Sequence, residues 1–503
     1  MVGMEGYYKR VIGLILGPLL FVFLILAPPL RDPITGELMN QIAPWAPGAA
    51  LGLMLWTVIW WLTEAIPLGL TSLLTAIIAC ALVGYEYRAF GYAEASLGVS
   101  DIVRTFFDKT IWVFFGGFVL GWGMQQSGFA RRVSRKIALF FARISSNAYW
   151  AIAGTWITVW FLSMWMSNTS ATAVAFSILL GILATSPWIN EKQAEIAMIF
   201  LAFSASLGGI ATIIGTPPNL IATAFLAERG IADIGFVDWL RYGMPVSVIT
   251  FIILLGLGRV FFGKSTVDVQ SLRASLVRGE SKMSIEEKWY IVVFTITASL
   301  WVLRGIAKIL GWSIVTKILP HDAIPAMICA VLLFSVPKSL KPYKPLFDWR
   351  EGLRGIDWDT LFLFAGGLVM GNMLFKSGAG LWLGKNVVSI SGTRIEGIIL
   401  GGGLLTWILT QFASNTAATN MMAPILISLC EVAGFAKAIV INVVVFAAIS
   451  ASLAFLLPVS TPPNAVVFAS GKVRIHRMLL YGLIVSAIML PATFMLLWII
   501  LSL

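Results

Sequence analysis

Charge is what this sequence has least of. Only 12% of its 503 residues are Asp, Glu, Lys or Arg, about half the share found in soluble domains. A chain this long with so little charge cannot clothe a water-facing surface, so a soluble globular protein is excluded. Cysteine is scarce too. Cys80, Cys329 and Cys430 lie apart inside apolar stretches, which rules out a disulfide framework and reads as small buried residues rather than metal or redox chemistry. The two histidines, His321 and His476, stand beside charged residues at the edges of apolar segments, a poor basis for a proton relay. There is no nucleophile–base pair and no Gly-rich phosphate loop, so an enzyme is not expected. Long polar stretches are also missing. The longest, from about Gly263 to Lys288, is too short for a soluble domain.

What fills the sequence is apolar. Hydrophobic residues make up 59% and the mean hydropathy is +0.90. Apolar runs of about 20 residues recur from end to end, each long enough to cross the hydrocarbon core as a helix. Barrel strands would be about 10 residues long and alternating. The fold class expected is all-α and integral to the membrane, with about 11 transmembrane helices. The first run, 11–30, follows Lys9 and Arg10 and ends in Pro-Pro-Leu-Arg without a small-residue cleavage site. It reads as a retained helix rather than a signal peptide.

The net charge of +11 would suggest nucleic acid in a soluble protein. Here the basic residues gather in loops, and no nucleic-acid partner is expected. Clusters lie at Arg131–Arg143, Lys264–Lys288, Lys338–Arg354 and Lys472–Arg477. With Lys9, Arg10, Lys192 and Arg259 they hold 22 of the 35 Lys and Arg. Placing them inside by the positive-inside rule sets the amino terminus in the cytoplasm and the carboxyl terminus outside.

Spans are expected near 11–30, 48–64, 67–84, 110–126, 240–262, 288–310, 323–337 and 477–502. The segment 129–145 interleaves basic residues with Val133, Ile137, Leu139 and Phe140, the pattern of an amphipathic helix on a membrane surface. The apolar stretch 149–186 is interrupted by Met166-Ser167-Asn168-Thr169-Ser170. It is too long for one crossing and short for two, which suits a re-entrant hairpin with a polar tip. The next apolar stretch, 193–227, is broken at Gly215-Thr216-Pro217-Pro218-Asn219, where the prolines lack N–H groups and disfavour helix before them.

The same devices then return. Thr360-Leu361-Phe362-Leu363-Phe364-Ala365-Gly366-Gly367 echoes Thr110-Ile111-Trp112-Val113-Phe114-Phe115-Gly116-Gly117. Ser414-Asn415-Thr416 echoes Ser167-Asn168-Thr169. Ser450-Ala451-Ser452-Leu453 echoes Ser204-Ala205-Ser206-Leu207, and Thr461-Pro462-Pro463-Asn464 echoes Thr216-Pro217-Pro218-Asn219. Asp322-Ala323-Ile324-Pro325 pairs in the same way with Glu64-Ala65-Ile66-Pro67. The chain thus reads as one transporter domain, 1–503, holding two repeats, 48–262 and 310–503. Each has a re-entrant hairpin and a Pro-broken helix. The charge pattern makes helix 110–126 run inward and helix 358–376 outward, so the repeats have inverted topology, as in secondary transporters whose interrupted segments mark the binding site.

The four motifs lack Lys and Arg. A helix beginning after each offers free N–H groups and a partial positive charge to an anion. Hydroxyl, amide and freed carbonyl oxygens suit a hard cation, and neutral ligands suit a monovalent one such as sodium. Cation and anion bound at one place lower each other's electrostatic cost. Glu64 and Asp322 sit at matching helix ends, where an acid reads either as functional or as a helix terminus.

These residues resemble the divalent anion:sodium symporter family. Ser163-Met164-Trp165-Met166-Ser167-Asn168-Thr169 and Trp61-Leu62-Thr63-Glu64-Ala65-Ile66-Pro67 are similar to its bacterial sodium/dicarboxylate branch. The resemblance implies a homodimer in the inner (plasma) membrane of a bacterium, with an elevator-type mechanism. It implies sodium ions at two or more sites, one formed by Ser163, Ser167, Asn168 and Gly215 and another by Thr410, Ser414, Asn415 and Ser460. It implies that a small dicarboxylate anion meets Asn168, Thr169, Thr216 and Pro217, and Asn415, Thr416, Thr461 and Pro462. Asn420 is an extra polar residue without a counterpart in the first tip. The expected activity is sodium-coupled import of a C4-dicarboxylate of the succinate, malate and fumarate class. The alternatives on the same fold are a sodium-independent dicarboxylate exchanger and a sodium-coupled citrate or sulfate carrier.

Overall fold

The computed structural model describes residues 2–81, 98–144, 147–184, 186, 189–263, 282–391 and 394–502. The expected span end at 82–84 and the basic residues Lys264, Arg273 and Arg278 lie outside them. In chain order the helices begin with α1 (Val2–Leu26), α2 (Ala46–Thr63), α3 (Leu68–Ala79), α4 (Val99–Phe106), α5 (Lys109–Gln126) and α6 (Phe129–Ile144). The first interrupted stretch forms α7 (Ala148–Ser163) and α8 (Asn168–Ala184). The second forms α9 (Glu191–Ile210) and α10 (Pro217–Glu228). Then come α11 (Phe236–Phe262), α12 (Ile285–Leu310), α13 (Ser313–Ile318), α14 (Ala323–Ser335), a hairpin of β1 (Pro337–Leu340) and β2 (Tyr343–Pro345), and α15 (Trp349–Arg354). The chain closes with α16 (Trp358–Ser377), α17 (Ala379–Ser391), α18 (Ile395–Thr410), α19 (Asn415–Val432), α20 (Lys437–Ser452), α21 (Pro462–Phe468) and α22 (Ile475–Ser502).

Among the described residues, seven helices are long and apolar enough to cross a membrane, and shorter apolar helices accompany them. α1 differs from the expected 11–30. It starts earlier, at Val2, and Tyr7, Tyr8, Lys9 and Arg10 are exposed along it. It stops at Leu26, just before Pro28-Pro29, where the residue preceding a proline is driven out of helical geometry. The breaks fall where proline places them. Pro217 and Pro462 open α10 and α21, positions at which a missing N–H removes no hydrogen bond. α6 is helical as its amphipathic pattern predicts.

The chain forms two compact units. One holds 1–111, 221–233 and 357–451, and the other holds 112–220, 234–356 and 452–503. In the first, α1 lies on α2, with Trp60 Nε1 donating to Gly13 O at 2.9 Å. α3 packs on α16, and α17 on α19. Trp61, Met370, Met373 and Leu374 are among the core residues of this unit.

In the second unit α9 is the centre, buried over nearly its whole length. Trp156 donates to Ala197 O and Trp239 to Ile210 O, both at 2.9 Å, tying α7 and α11 to it. Asn190 and Gln193 form a capping box at its start, satisfying two free amides reciprocally. A buried Arg304–Asp322 ion pair, at 3.1 Å, fixes the loop before α14 against α12.

Neither unit corresponds to one half of the sequence. α10 follows the first proline break, yet from Ile221 it belongs with second-half helices: Arg229 grips the Glu431 carboxylate of α19 at 2.6–3.0 Å and lies 4.4 Å over the Phe375 ring of α16. α21 follows the second break and packs on α8 and α9 of the first half. Just before it, Phe455 meets Phe203 of α9 with ring centroids 4.4 Å apart. The short helix after each break is therefore exchanged between the halves.

Candidate functional site

The first tip lies entirely in the second unit. α7 ends at Ser163, fully buried, whose hydroxyl donates to Asn168 Oδ1 at 2.5 Å. Asn168 begins α8, and its main-chain carbonyl accepts the Thr172 hydroxyl at 2.7 Å. Ser167 caps that first turn: its Oγ accepts from the Ser170 amide at 3.2 Å. Thr169 follows, half-buried. The break between α9 and α10 comes against this turn. A Cβ on Gly209 would fall 2.6 Å from Asn168 Oδ1 and 3.2 Å from Gly215 O, and one on Gly215 would fall 2.5 Å from Gly209 O and 3.0 Å from Ser163 O. Only glycine fits at either position. The Asn168 amide and the carbonyls of Ser163, Gly209 and Gly215 are thereby packed close together, all neutral oxygens of the kind a hard monovalent cation takes. Thr216 is buried and Pro217 opens α10.

The second tip repeats the bonding within the first unit. Thr410 ends α18, buried, and its hydroxyl lies 2.8 Å from both Asn415 Oδ1 and Ala451 O. Asn415 opens α19, and its carbonyl accepts the Thr419 hydroxyl at 2.8 Å. Ser414 caps the turn, accepting from the Ala417 amide at 3.1 Å. Thr416 is buried. Ser460, Thr461 and Pro462 lie in the other unit. There Ser460 Oγ accepts from the Leu457 amide at 3.2 Å, and Thr461 caps α21 through the Asn464 amide at 3.3 Å. The structure thus brings Ser163, Asn168 and Gly215 together, and Thr410 with Asn415. Ser167 and Ser414 face their own helix turns.

Two functional candidates escaped the sequence reading. Asn219 Nδ2 donates to Gly209 O at 2.9 Å and Thr212 O at 2.8 Å. Asn464 Nδ2 donates to Ala454 O and Leu457 O, both at 3.0 Å. The acceptors are offset by the same 245 residues as the asparagines. Both side chains are 0% exposed. Each closes its break by binding carbonyls on the far side of the gap. The signal was present as the last residue of Thr-Pro-Pro-Asn.

Three other polar residues are held by contacts of their own. Asp322 accepts from Arg304 and, through Oδ2, from the Phe236 amide at 2.7 Å. Its counterpart Glu64 is exposed and caps α2 in a left-handed conformation, φ 49°. Asn420 is fully buried between helices and donates to Leu363 O at 3.1 Å.

A family model described as "Citrate transporter" (CitMHS) matches residues 58–447 and again 314–503. The sodium-dependent dicarboxylate transporter SdcS of Staphylococcus saprophyticus is 31% identical over 493 residues, 94% of this chain and 88% of its own length. The protein of the same name in Staphylococcus aureus strain USA300 is 29% identical over 497 residues, 95% and 89% of the two chains. The chain belongs to the divalent anion:sodium symporter family. It is an integral membrane transporter and not an enzyme. Its fold is also similar to the YdaH transporter of Alcanivorax borkumensis, with a TM-score of 0.51 at 13% identity over 98% of this chain and 97% of that one. The two Ser/Thr–Asn turns and the two Asn-closed breaks each place a helix end beside buried neutral oxygens, of which Asn219 Oδ1 and Asn464 Oδ1 have no hydrogen-bond partner among the described residues.

Proposed function

We propose that this symporter imports a C4-dicarboxylate together with sodium ions. The observation that carries the reading is the duplicated turn, Ser163–Asn168 and Thr410–Asn415, with a helix N-terminus following each asparagine. Neutral oxygens at each turn suit sodium, and the amide donors of α8 and α19 suit a carboxylate. Ser163, Ser167, Asn168 and Gly215 serve one sodium ion, and Thr410, Ser414, Asn415 and Ser460 another. Asn168, Thr169, Thr216, Pro217, Asn415, Thr416, Thr461 and Pro462 meet the carboxylates. The relatives named as sodium-dependent dicarboxylate transporters support both the ion and the substrate. The reading includes two inverted repeats, 48–262 and 310–503, re-entrant hairpins, a homodimer, an elevator-type cycle and a cytoplasmic amino terminus in a bacterial inner membrane.

Uptake of labelled succinate into proteoliposomes, with and without an inward sodium gradient, tests it. Gradient-driven accumulation, lost in Asn168→Ala and in Asn415→Ala while both variants still bury the same tryptophan fluorescence, is the expected result. Counterflow that ignores sodium would make the chain an exchanger. The family model described as a citrate transporter favours one second reading, a sodium-coupled citrate carrier. Citrate uptake exceeding succinate uptake in the same vesicles would establish it.

A further inference from the structure

A β-hairpin interrupts the helices between α14 and α15. β1 and β2 pair antiparallel, with Ser339 opposite Lys344 and Leu340 opposite Tyr343. One residue, Val336, separates it from α14, an apolar helix, so the strand starts within about 7 Å of the helix end. Tyr343 reaches back to that end, its hydroxyl 3.4 Å from Ser335 O. On the expectation that 323–337 is a span, the hairpin sits at the level where that span meets water.

Its composition matches that place. Leu340 is 75% exposed and Tyr343 59% exposed. They alternate along the chain with Lys341 and Lys344, which are exposed and have no ion-pair partner among the described residues. Lys338 is occupied by Glu286. The nearest acid along the chain, Asp348, is taken up by the amides of Arg350 and Glu351. Trp349 is exposed beside Arg350. Apolar side chains interleaved with unpaired ammonium groups suit a bilayer interface. Leucine and tyrosine enter the acyl boundary while the lysines reach phosphate. An acidic protein partner would answer the charge, but not two apolar side chains displayed at the level of a helix end. The cluster is basic, and the cytoplasmic leaflet to which such loops are assigned is the anionic one.

We propose that the 337–345 hairpin docks on anionic lipid headgroups through Lys341 and Lys344, with Leu340 and Tyr343 inserted between the lipids. The test is amide hydrogen exchange of the full-length protein in nanodiscs of phosphatidylcholine alone or with phosphatidylglycerol. Peptides covering 338–345 should exchange more slowly in the anionic discs, by about fivefold for each lysine and about 30-fold for the pair. Lys341→Gln/Lys344→Gln should remove the difference without changing the melting temperature. Leu340→Ser should reduce protection and leave its salt sensitivity. Equal exchange in the two discs, as contact with a second copy would give, overturns the proposal. So does protection that survives the double lysine substitution.

Discussion

Replacing Asn219 by alanine removes two hydrogen bonds at once and leaves the carbonyls of Gly209 and Thr212 without their donor. Both bonds are short, 2.9 and 2.8 Å, and the side chain is fully buried. A buried polar group left unpaired costs about 1–3 kcal/mol, so the two carbonyls together should cost about 2–6 kcal/mol. Asn464→Ala should fall in the same range, because its two bonds to Ala454 and Leu457 are of like length. Asn219→Asp keeps the shape but turns an acceptor toward two carbonyls, and should be at least as damaging. Thermal unfolding in detergent, followed by tryptophan fluorescence, measures the stability loss. Sodium titration of uptake measures the second consequence. Gly209 O packs tightly against Gly215, one of the proposed sodium ligands, so a slackened break should raise the sodium concentration for half-maximal transport more than it lowers the maximal rate. Wild-type unfolding and wild-type sodium dependence in both alanine variants would refute the reasoning.

Gly215→Ala would set a methyl 2.5 Å from Gly209 O and 3.0 Å from Ser163 O; sodium-dependent uptake should be lost, as vesicle assays would record. Asp322→Ala strands Arg304 in a buried site and should destabilise by about 3–5 kcal/mol, while Arg304→Met/Asp322→Leu should recover part of that in the same melts. Acid should expose the Asp32–Lys385 pair outside the spans. The Lys385 ammonium, with the amides of Ile34 and Thr35, holds the Asp32 carboxyl below its ordinary value. A depressed carboxyl contributes its stability above the unfolded value of about 3.9, and that contribution disappears as pH falls through the folded one. The gap in melting temperature between wild type and Lys385→Gln should therefore be present at neutral pH and close below about pH 4. A gap that persists in acid would mean that the lysine acts through packing alone.

Much of this was legible because proline, asparagine and charge are local signals. Pro217 and Pro462 announced where two helices restart, and Ser167-Asn168 and Ser414-Asn415 announced the turns, since each effect acts within a residue or two of its cause. Long-range partners were not legible. Nothing near Asp322 in sequence points to Arg304, and the similarity of Asp322 to Glu64 concealed opposite fates, one carboxylate clamped and buried, the other capping an exposed helix end. The sequence marked Asn420 as an extra polar residue of the second tip without showing what it faces. Its amide in fact serves the Leu363 carbonyl, 57 positions away. The role of Asn219 was hidden for a related reason: a motif names the residue but not the carbonyls that it reaches across the gap.

The crossing-over of α10 and α21 bears on the origin of the chain. A free-standing half would carry a short helix that packs with the other half and would lack the one that the other half supplies to it. It could be completed only by a second half, each donating one short helix to the other. Joining two such halves into one polypeptide would leave the mutual loan in place and remove the need to find a partner. Split versions of the gene should then work only when both halves are made in the same cell.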